Sequence, residues 1–433
     1  MDTGTRLRVG LLGCGNVGGA LVQLLADDAD RIATRTGLRL DLAAVAVRSA
    51  AREREVPLPE GILTTDAASV VGRADIDLVV EVIGGIEPAR TLILAALKAG
   101  KPVVTANKEL IANCGSELWE AAATAGVDLL FEASVAGAIP LIRPLRESLA
   151  GERIRRVMGI VNGTTNFILS RMSESGASYH DALAEAQSLG YAERDPTADV
   201  EGFDAAAKAA ILANVAFGAR VVAGDVYREG ISAITAADIA VARRLGYALK
   251  LLAIVDQDDS ADGPVAVRVH PAMVPVTHPL ASVRDSFNAV FIEGEAAGQL
   301  MLLGRGAGGM PTASAVLGDL LDAAHNLTAG GAGRTVALHQ VALRPIDDLT
   351  SPYYLDLLVA DLPGVLHAVS GVLGRHSVSV RSMEQEGVEG EGARLVFITH
   401  PALERDMQAC LHALRGLDVV TRIGGLIRVI GAA

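Results

Sequence analysis

Gly10–Ala20 reads GLLGCGNVGGA, with glycines at 13, 15 and 18. The apolar run Leu7–Leu12 before it reads as a buried strand, and Gly18–Ala29 after it reads as a helix. In that setting each glycine has a mechanical task. Gly13 permits a tight turn, Gly15 lets the backbone approach a pyrophosphate, and Gly18 lets helix and strand close up. The N–H groups of Asn16, Val17 and Gly18 open the helix, where they lack intrahelical partners and favour an anion. The spacing predicts a dinucleotide loop. The competing reading is a glycine turn in an unrelated α/β protein.

Outward from the loop, strands and helices alternate up to about residue 135. Leu40–Val47, Leu78–Ile83, Pro102–Thr105 and Leu129–Glu132 read as strands; Pro88–Ala99 and Leu110–Ala125 read as helices. Such alternation means βαβ units with right-handed crossovers. The fold class expected for residues 1–139 is a Rossmann-type, doubly wound parallel α/β sheet, completed by a returning segment at about 304–325. An NAD site usually carries an acid at the end of the second strand. Here that strand ends Val45, Ala46, Val47, Arg48, Ser49, with no acid. Arg48 can pair with the 2′-phosphate of NADP; alternatively it is an exposed loop arginine. NADP is the expected cofactor, with NAD possible.

Residues 140–303 read as a mixed α+β unit for substrate binding and dimerisation. Ile154–Val161, Val265–Val269 and Ala289–Ile292 are its strand candidates, and helices are expected over much of His180–Gly218 and Ala236–Leu251. Residues 326–350 read as a linker, ending in RPIDDLTS (Arg344–Ser351). Residues 351–433 follow as strand, helix, strand, strand, helix, strand, a ferredoxin-like βαββαβ unit.

The 433 residues carry 38 basic and 51 acidic side chains, a formal charge of −13, which disfavours nucleic acid and anionic lipid as partners. No apolar run of about 18 residues suggests a membrane span, and MDTGTRLRVG lacks a signal-peptide pattern. Cys14, Cys114 and Cys410 are scattered and odd in number, which fits a reducing cytoplasm better than a disulfide framework or a zinc site.

The richest stretch is GYAERDPTADVEGFDAAAKAAIL, Gly190–Leu212. It gathers Glu193, Asp195, Asp199, Glu201, Asp204 and Lys208. Asp204 and Lys208 stand at i and i+4, on one helix face. The flanking alanines predict a desolvated lysine with a lowered pKa, suited to proton transfer. A structural salt bridge explains the same spacing. Asn162, Gly163, Thr164 and Thr165 form a polar turn into a helix, either a wall of the substrate pocket or a cap and nothing more.

Taken together, the Gly190–Leu212 stretch, GIVNGTTNFIL (Gly159–Leu169), VTANKE (Val104–Glu109), EASVAGAIP (Glu132–Pro140) and GRGAGGMPTASAV (Gly304–Val316) resemble homoserine dehydrogenases. The resemblance runs through the chain in family order. It implies reversible reduction of L-aspartate 4-semialdehyde to L-homoserine by a nicotinamide cofactor. It implies Lys208 as the catalytic lysine, with Lys108 of the TANK motif near cofactor and substrate. It implies Glu193, Asp199, Asp204 and Thr164 as substrate contacts, and Gly190 and Gly306 as further cofactor contacts. It also implies a monovalent cation, Na⁺ or K⁺, held by Glu132 and the carbonyls of Val135, Gly137 and Ile139. VADLPGVLHAVSGVLG (Val359–Gly374) resembles the opening of an ACT domain, which implies side-by-side pairing and an amino-acid effector, L-threonine being expected. A homodimer or homotetramer follows.

Two other classes compete. A semialdehyde dehydrogenase on this architecture needs an activated cysteine, and Cys114 and Cys410 have no such setting. A non-catalytic amino-acid sensor predicts loss of the acid–lysine cluster, yet Lys108, Glu193, Asp204 and Lys208 are all present.

Overall fold

The computed structural model describes residues 4–51, 54, 56–258, 263–388, 390 and 392–431. The first unit is a six-stranded parallel sheet, β1 (Thr5–Leu12), β2 (Leu38–Ala46), β3 (Leu63–Thr64), β4 (Leu78–Glu81), β5 (Val103–Thr105) and β6 (Leu129–Leu130). Its order is β3-β2-β1-β4-β5-β6. The order reverses beside β1, and ligands of open α/β sheets bind at that point, beyond the carboxyl ends of the strands. Two helices start at those ends: α1 (Asn16–Asp27) after β1 and α2 (Lys108–Ala125) after β5. The returning helix Gly309–Thr328 buries Ala313, Val316 and Leu320 in one core with Val9, Leu11 and Leu21 of β1 and α1. The small residues of that helix allow the close approach: a Cβ at Gly309 would meet Asn16 O at 2.9 Å.

The second unit contributes α3 (Gly163–Ser175), α4 (Phe203–Phe217) and α5 (Ala236–Arg244). They cover strands β7 (Ile154–Ile160), β8 (Tyr247–Gln257), β9 (Val265–Pro275), β10 (Phe287–Gly294) and β11 (Gly298–Arg305). The expected helix over Ala236–Leu251 is corrected here. It stops at Arg244, Gly246 turns with φ +82°, and Leu249–Leu251 already lie in β8. β8 is central and mostly buried, its Leu251–Val255 segment is an unbroken apolar run, and such a run has no period to separate strand from helix. β11 was not anticipated either. It is a half-exposed edge strand whose apolar run Leu300–Leu303 is short and flanked by glycines.

The C-terminal unit follows the expected βαββαβ order. It runs β12 (Tyr353–Val359), α6 (Val365–Arg375), β13 (Val380–Val388), β14 (Gly392–Thr399), α7 (Glu404–Arg415) and β15 (Val420–Val429). Its sheet is not separate from the preceding one. β15 pairs in parallel with β9 at Ala272↔Arg428 and Met273↔Val429, giving a single path β11-β10-β7-β8-β9-β15-β12-β14-β13. α5 lies across the seam, and Ile239, Val241, Tyr354, Ile398 and Ile427 share one core. The connecting residues after 328 also pack down. His339 N–H donates to Gly218 O at 2.7 Å and Arg344 N–H to Val265 O at 2.9 Å. Among the described residues no helix is long and apolar enough to cross a membrane.

Candidate active site

Two local devices aim Lys108. The Thr105 hydroxyl donates to buried Glu81 Oε2 at 2.6 Å, and Asn107 N–H donates to Thr105 Oγ1 at 3.0 Å. Asn107 Oδ1 then caps α2 by accepting from Leu110 N–H at 3.1 Å. Lys108 is thereby the first residue of α2, and its ammonium pairs with Asp204 Oδ1 across the sheet–helix cleft.

α4 is built mostly from alanine, a strong helix former with almost no volume. It runs between two left-handed glycines, Gly202 and Gly218, and every residue from Asp204 to Asn214 is buried. Small side chains let the helix sink between the sheet and α2 and carry two charged groups with it. Lys208 Nζ donates to Asp204 Oδ2 at 2.7 Å and to Val161 O at 2.6 Å. The two lysines therefore share one carboxylate, but their surroundings differ. The Lys208 side chain is 10% exposed, that of Lys108 46%.

Desolvation is the largest influence on all three groups. It would raise the Asp204 carboxyl, but the charges and hydrogen bonds of Lys208 and Lys108 outweigh it and hold that carboxyl far below the usual carboxylate range. It pulls the Lys208 amine below its ordinary value, with repulsion from Lys108 adding to it and Asp204 opposing. On Lys108 the pull of Asp204 overcomes burial, and that amine is raised. The two lysines thus have opposite tendencies, one toward release of its proton and one toward keeping it.

Asn162 ties the cluster to α3. Its amide nitrogen donates to Asp199 Oδ1 at 2.7 Å and Asp204 Oδ2 at 2.8 Å, while its carbonyl oxygen caps α3 by accepting from Thr165 N–H at 2.9 Å. Of the expected site residues, Lys108, Asp199, Asp204 and Lys208 therefore converge. Thr164 sits one turn away, its hydroxyl donating to Tyr191 O at 2.6 Å. Glu193 lies on the exposed turn that begins at Gly190, whose φ is +76°, and its carboxylate makes no hydrogen bond or ion pair with the described residues. Asn162 belongs to the polar turn expected there; Glu81 and Thr105 also act on the site and were not anticipated, the one signal being that Glu81 ends the apolar strand β4 with an acid.

The glycine loop keeps its expected geometry. A Cβ at Gly13, where φ is +102°, would lie 2.7 Å from Val82 O, and one at Gly18 would lie 2.2 Å from Gly13 O. Gly15 has open space around it and no side chain caps α1 behind it, so the N–H groups of Asn16 and Val17 are left for a ligand. A cavity of about 430 Å³ opens there, lined by Cys14, Gly15, Asn16, Arg54, Gly309 and Met310 among others. Arg54 was not anticipated; only its charge marks it in the sequence. Arg48 is exposed at the end of β2. Gly306 lies elsewhere, against Asn288 and Gly137, while Gly309 is the glycine that touches the loop.

At the EASVAGAIP turn, Glu132 spends both carboxylate oxygens on backbone. They accept from Leu141 N–H at 2.5 Å, Ile142 N–H at 2.7 Å and Arg143 N–H at 2.8 Å. The turn is forced through positive φ at Ala136 (59°) and Gly137 (58°), and Ala138 N–H donates to Arg305 O at 3.1 Å. Val135, Gly137 and Ile139 are buried, and their carbonyls accept no hydrogen bond from the described residues. Unpaired buried carbonyls suit a hard monovalent cation. Among the described residues no group of three or more His, Cys, Asp or Glu gathers to hold a metal.

Residues 13–132 match the NAD-binding domain of homoserine dehydrogenase, residues 140–321 the homoserine dehydrogenase family and residues 353–416 the ACT domain. The homoserine dehydrogenase of Corynebacterium glutamicum is 52% identical over 431 residues, covering 98% of this chain and 96% of that protein. The crystal structure of a homoserine dehydrogenase from Thiobacillus denitrificans superposes with a TM-score of 0.92 at 41% identity, covering 99% of both chains. A hyperthermophilic archaeal homoserine dehydrogenase in complex with NADPH superposes with a TM-score of 0.61 at 28% identity, covering 77% of this chain and 100% of that one.

Proposed function

The chain belongs to the homoserine dehydrogenases, and from that premise we propose how its own residues divide the work. It is an NAD(P)-dependent oxidoreductase acting on L-aspartate 4-semialdehyde and L-homoserine, with an ACT regulatory domain. A bound nicotinamide supplies hydride in reduction and accepts it in oxidation. The observation that carries the rest is the Lys108–Asp204–Lys208 chain. Lys208 Nζ gives its proton to the aldehyde oxygen during reduction and takes it from the hydroxyl during oxidation. Its desolvated amine is pulled downward, so of the two lysines it is the one that gives up its proton more readily. Lys108, held charged, orients the carbonyl and stabilises the developing negative charge. Asp204 fixes both lysines. Asp199 and Glu193 take the substrate ammonium, and the N–H groups of Gly163 and Thr164 at the start of α3 take its carboxylate.

For the cofactor, residues Gly13–Gly18 hold the pyrophosphate and Gly190 and Gly306 lie along the remaining path. NADP is preferred over NAD, with Arg48 at the 2′-phosphate. Support comes from the missing acid at the end of β2, from the exposed arginine there, and from the archaeal relative solved with NADPH. Arg48→Ala is expected to raise KM for NADP⁺ about tenfold, the worth of one charge-assisted hydrogen bond, and to leave KM for NAD⁺ unchanged. Parallel shifts in both constants would remove the case for NADP.

We assign the turn at residues 132–139 a sodium or potassium ion, held by the Val135, Gly137 and Ile139 carbonyls and the Glu132 peptide. The Glu132 carboxylate is committed to the helix cap, so its role there is indirect. Exchanging Na⁺ and K⁺ for tetramethylammonium at constant ionic strength is expected to lower Tm by roughly 2–4 °C, because an ion bound only to the native state stabilises it. An unchanged Tm with unchanged kcat would dismiss the ion.

Residues 1–139, 140–303 and 351–433 act as nucleotide, substrate and regulatory units. L-threonine is the effector proposed for the last, and pairing of ACT units in a homodimer or homotetramer is the assembly proposed. A cytoplasmic location fits three free thiols and a biosynthetic reaction.

A further inference from the structure

Lys250 is a third buried lysine of the substrate unit, on β8, and the proton transfer does not use it. Side chains alternate along a strand. Leu252 and Ile254, on the same side as Lys250, lie in an apolar cluster with Leu280 and Val283. Lys250 is 4% exposed, and among the described residues its ammonium pairs with no carboxylate. It donates instead to Asn166 Oδ1 at 3.0 Å and to the Val283 carbonyl. Burial pulls the amine down to about 8, with the Arg284 charge adding to it and Glu174 and Asp285 opposing. The group is therefore mostly protonated at neutral pH, a buried cation held by neutral partners. Such a charge is costly to bury, and its presence calls for a task.

Asn166 shows what that task is. It lies on α3 three residues beyond Gly163 and is buried. An ammonium offers only donors, so Lys250 fixes the Asn166 amide oxygen toward itself and turns the nitrogen away. That nitrogen donates to Asp285 O at 2.9 Å and Phe287 O at 3.3 Å. Lys250 and Asn166 thus hold the segment 283–287 by three of its backbone carbonyls. The segment is bent, with Asp285 at φ +52°. The bend brings Ser286 O against the start of α3, where a Cβ at Gly163 would stand 2.7 Å from it. The same turn carries Asn162, whose amide reaches Asp199 and Asp204. The other tie between the segment and α3 is the pair Arg284–Glu174 at 3.5 Å. Its side chains are exposed, and such pairs contribute little.

We propose that Lys250 is a positioning residue for substrate binding, acting through Asn166 and the bend at residues 283–287 on the first turn of α3. Lys250 sets the Asn166 amide, the amide sets the bend, and the bend seats the turn Asn162–Thr165 against the acid–lysine cluster. The lysine charge has the same sign as the helix N-terminus, so both favour an anionic group at that turn. This deepens the reading of the turn as a wall of the substrate site and rests on it. Lys250 does not touch the reacting atoms, so its loss belongs in KM for homoserine and not in kcat. A general weakening of the fold would not select one substrate in this way.

The test measures homoserine oxidation by the full chain, with KM for L-homoserine and for NADP⁺ and kcat determined separately. Lys250→Met keeps the apolar stem and removes the donors. Asn166→Ala is the second variant, in case the first does not fold: alanine suits a helix, and Lys250 keeps the Val283 carbonyl. Asn162→Ser keeps an N-cap oxygen and removes the amide that reaches Asp199 and Asp204. Circular dichroism checks that each folds. Lys250→Met and Asn166→Ala are each expected to raise KM for homoserine roughly tenfold, with kcat within about threefold and KM for NADP⁺ unchanged. The double variant should be no worse than the worse single one, because both act on one bend. If Asn162→Ser raises KM for homoserine while folded Lys250→Met and Asn166→Ala do not, the role of Lys250 is overturned and the turn stands. If Asn162→Ser leaves that KM unchanged, the turn is not a wall of the substrate site and the proposal falls with it. A fall in kcat alone, with KM for homoserine unchanged in the Lys250 and Asn166 variants, would make the contact a structural tie and overturn the proposal.

Discussion

Lys208→Ala is expected to lower kcat for homoserine oxidation by roughly 10²–10⁴-fold, the contribution typical of a positioned acid–base group. Binding of the dinucleotide should be unaffected, since Lys208 lies on α4 and the glycine loop on α1. The loss should not be a folding defect. Asp204 keeps Lys108 and Asn162 as partners, and the other acceptor that loses a donor is the single backbone carbonyl of Val161. Lys208→Met, which fills that space without a proton, should be equally inactive. The pH dependence has a sign that follows from the lowered pKa of Lys208. Oxidation needs the neutral amine, so kcat should rise with pH through that pKa. Reduction needs the ammonium and should fall across the same window. Retention of kcat within about threefold in both variants would move the proton to another group.

Asp204→Asn should have the next largest effect. The amide has the same shape but can no longer neutralise two ammonium groups. Removing one partner of a buried pair costs about 3–5 kcal/mol when the other stays charged. Lys208 can reduce that cost by giving up its proton, which makes the deficit depend on pH. The unfolded lysine titrates at about 10.4, so below that pH folding of the variant expels a proton. Its stability should rise with pH up to the unfolded value and fall further behind wild type as pH drops. Urea unfolding at pH 6.5 and pH 9.5 measures this. In kinetics, kcat/KM for homoserine should fall at least 10²-fold, because Lys108 and Lys208 lose their shared anchor. A stability deficit that is the same at both pH values, with normal kcat/KM, would mean that the three charges do not act as a unit.

The parts of this fold that rest on local chemistry were readable in advance. Gly13 and Gly18 stand where backbone sterics demand a glycine, Gly15 leaves open space beside the helix start, and the three are visible together in six residues of sequence. The Asp204–Lys208 spacing put both groups on one face of α4, and the alanines around them announced burial. What escaped was set by partners distant along the chain. Nothing within Leu251–Val255 distinguishes strand from helix, because β7 and β9 pair with its edges and the helices cover it, so it carries no polar alternation. Asn162 looked like a cap, and is one, but its amide reaches residues 37 and 42 positions away. Glu132 is marked as a cation ligand only through the family resemblance, and no local pattern announces that its carboxylate also accepts from the N–H groups that open the helix at Ile142. Long-range pairing of this kind leaves no period in the sequence.

The joint between β9 and β15 bears on what happens when the regulatory unit is removed. Cutting the chain after Asp348 would strip β15 from Ala272 and Met273 and would take Glu404 away along with Arg428. A buried apolar strand would then present open N–H and C=O groups to solvent, the template on which sheets of separate molecules join. The shortened enzyme is therefore expected to self-associate along that border before it reports anything about feedback. The C-terminal unit is thus a guard for the border of the central sheet.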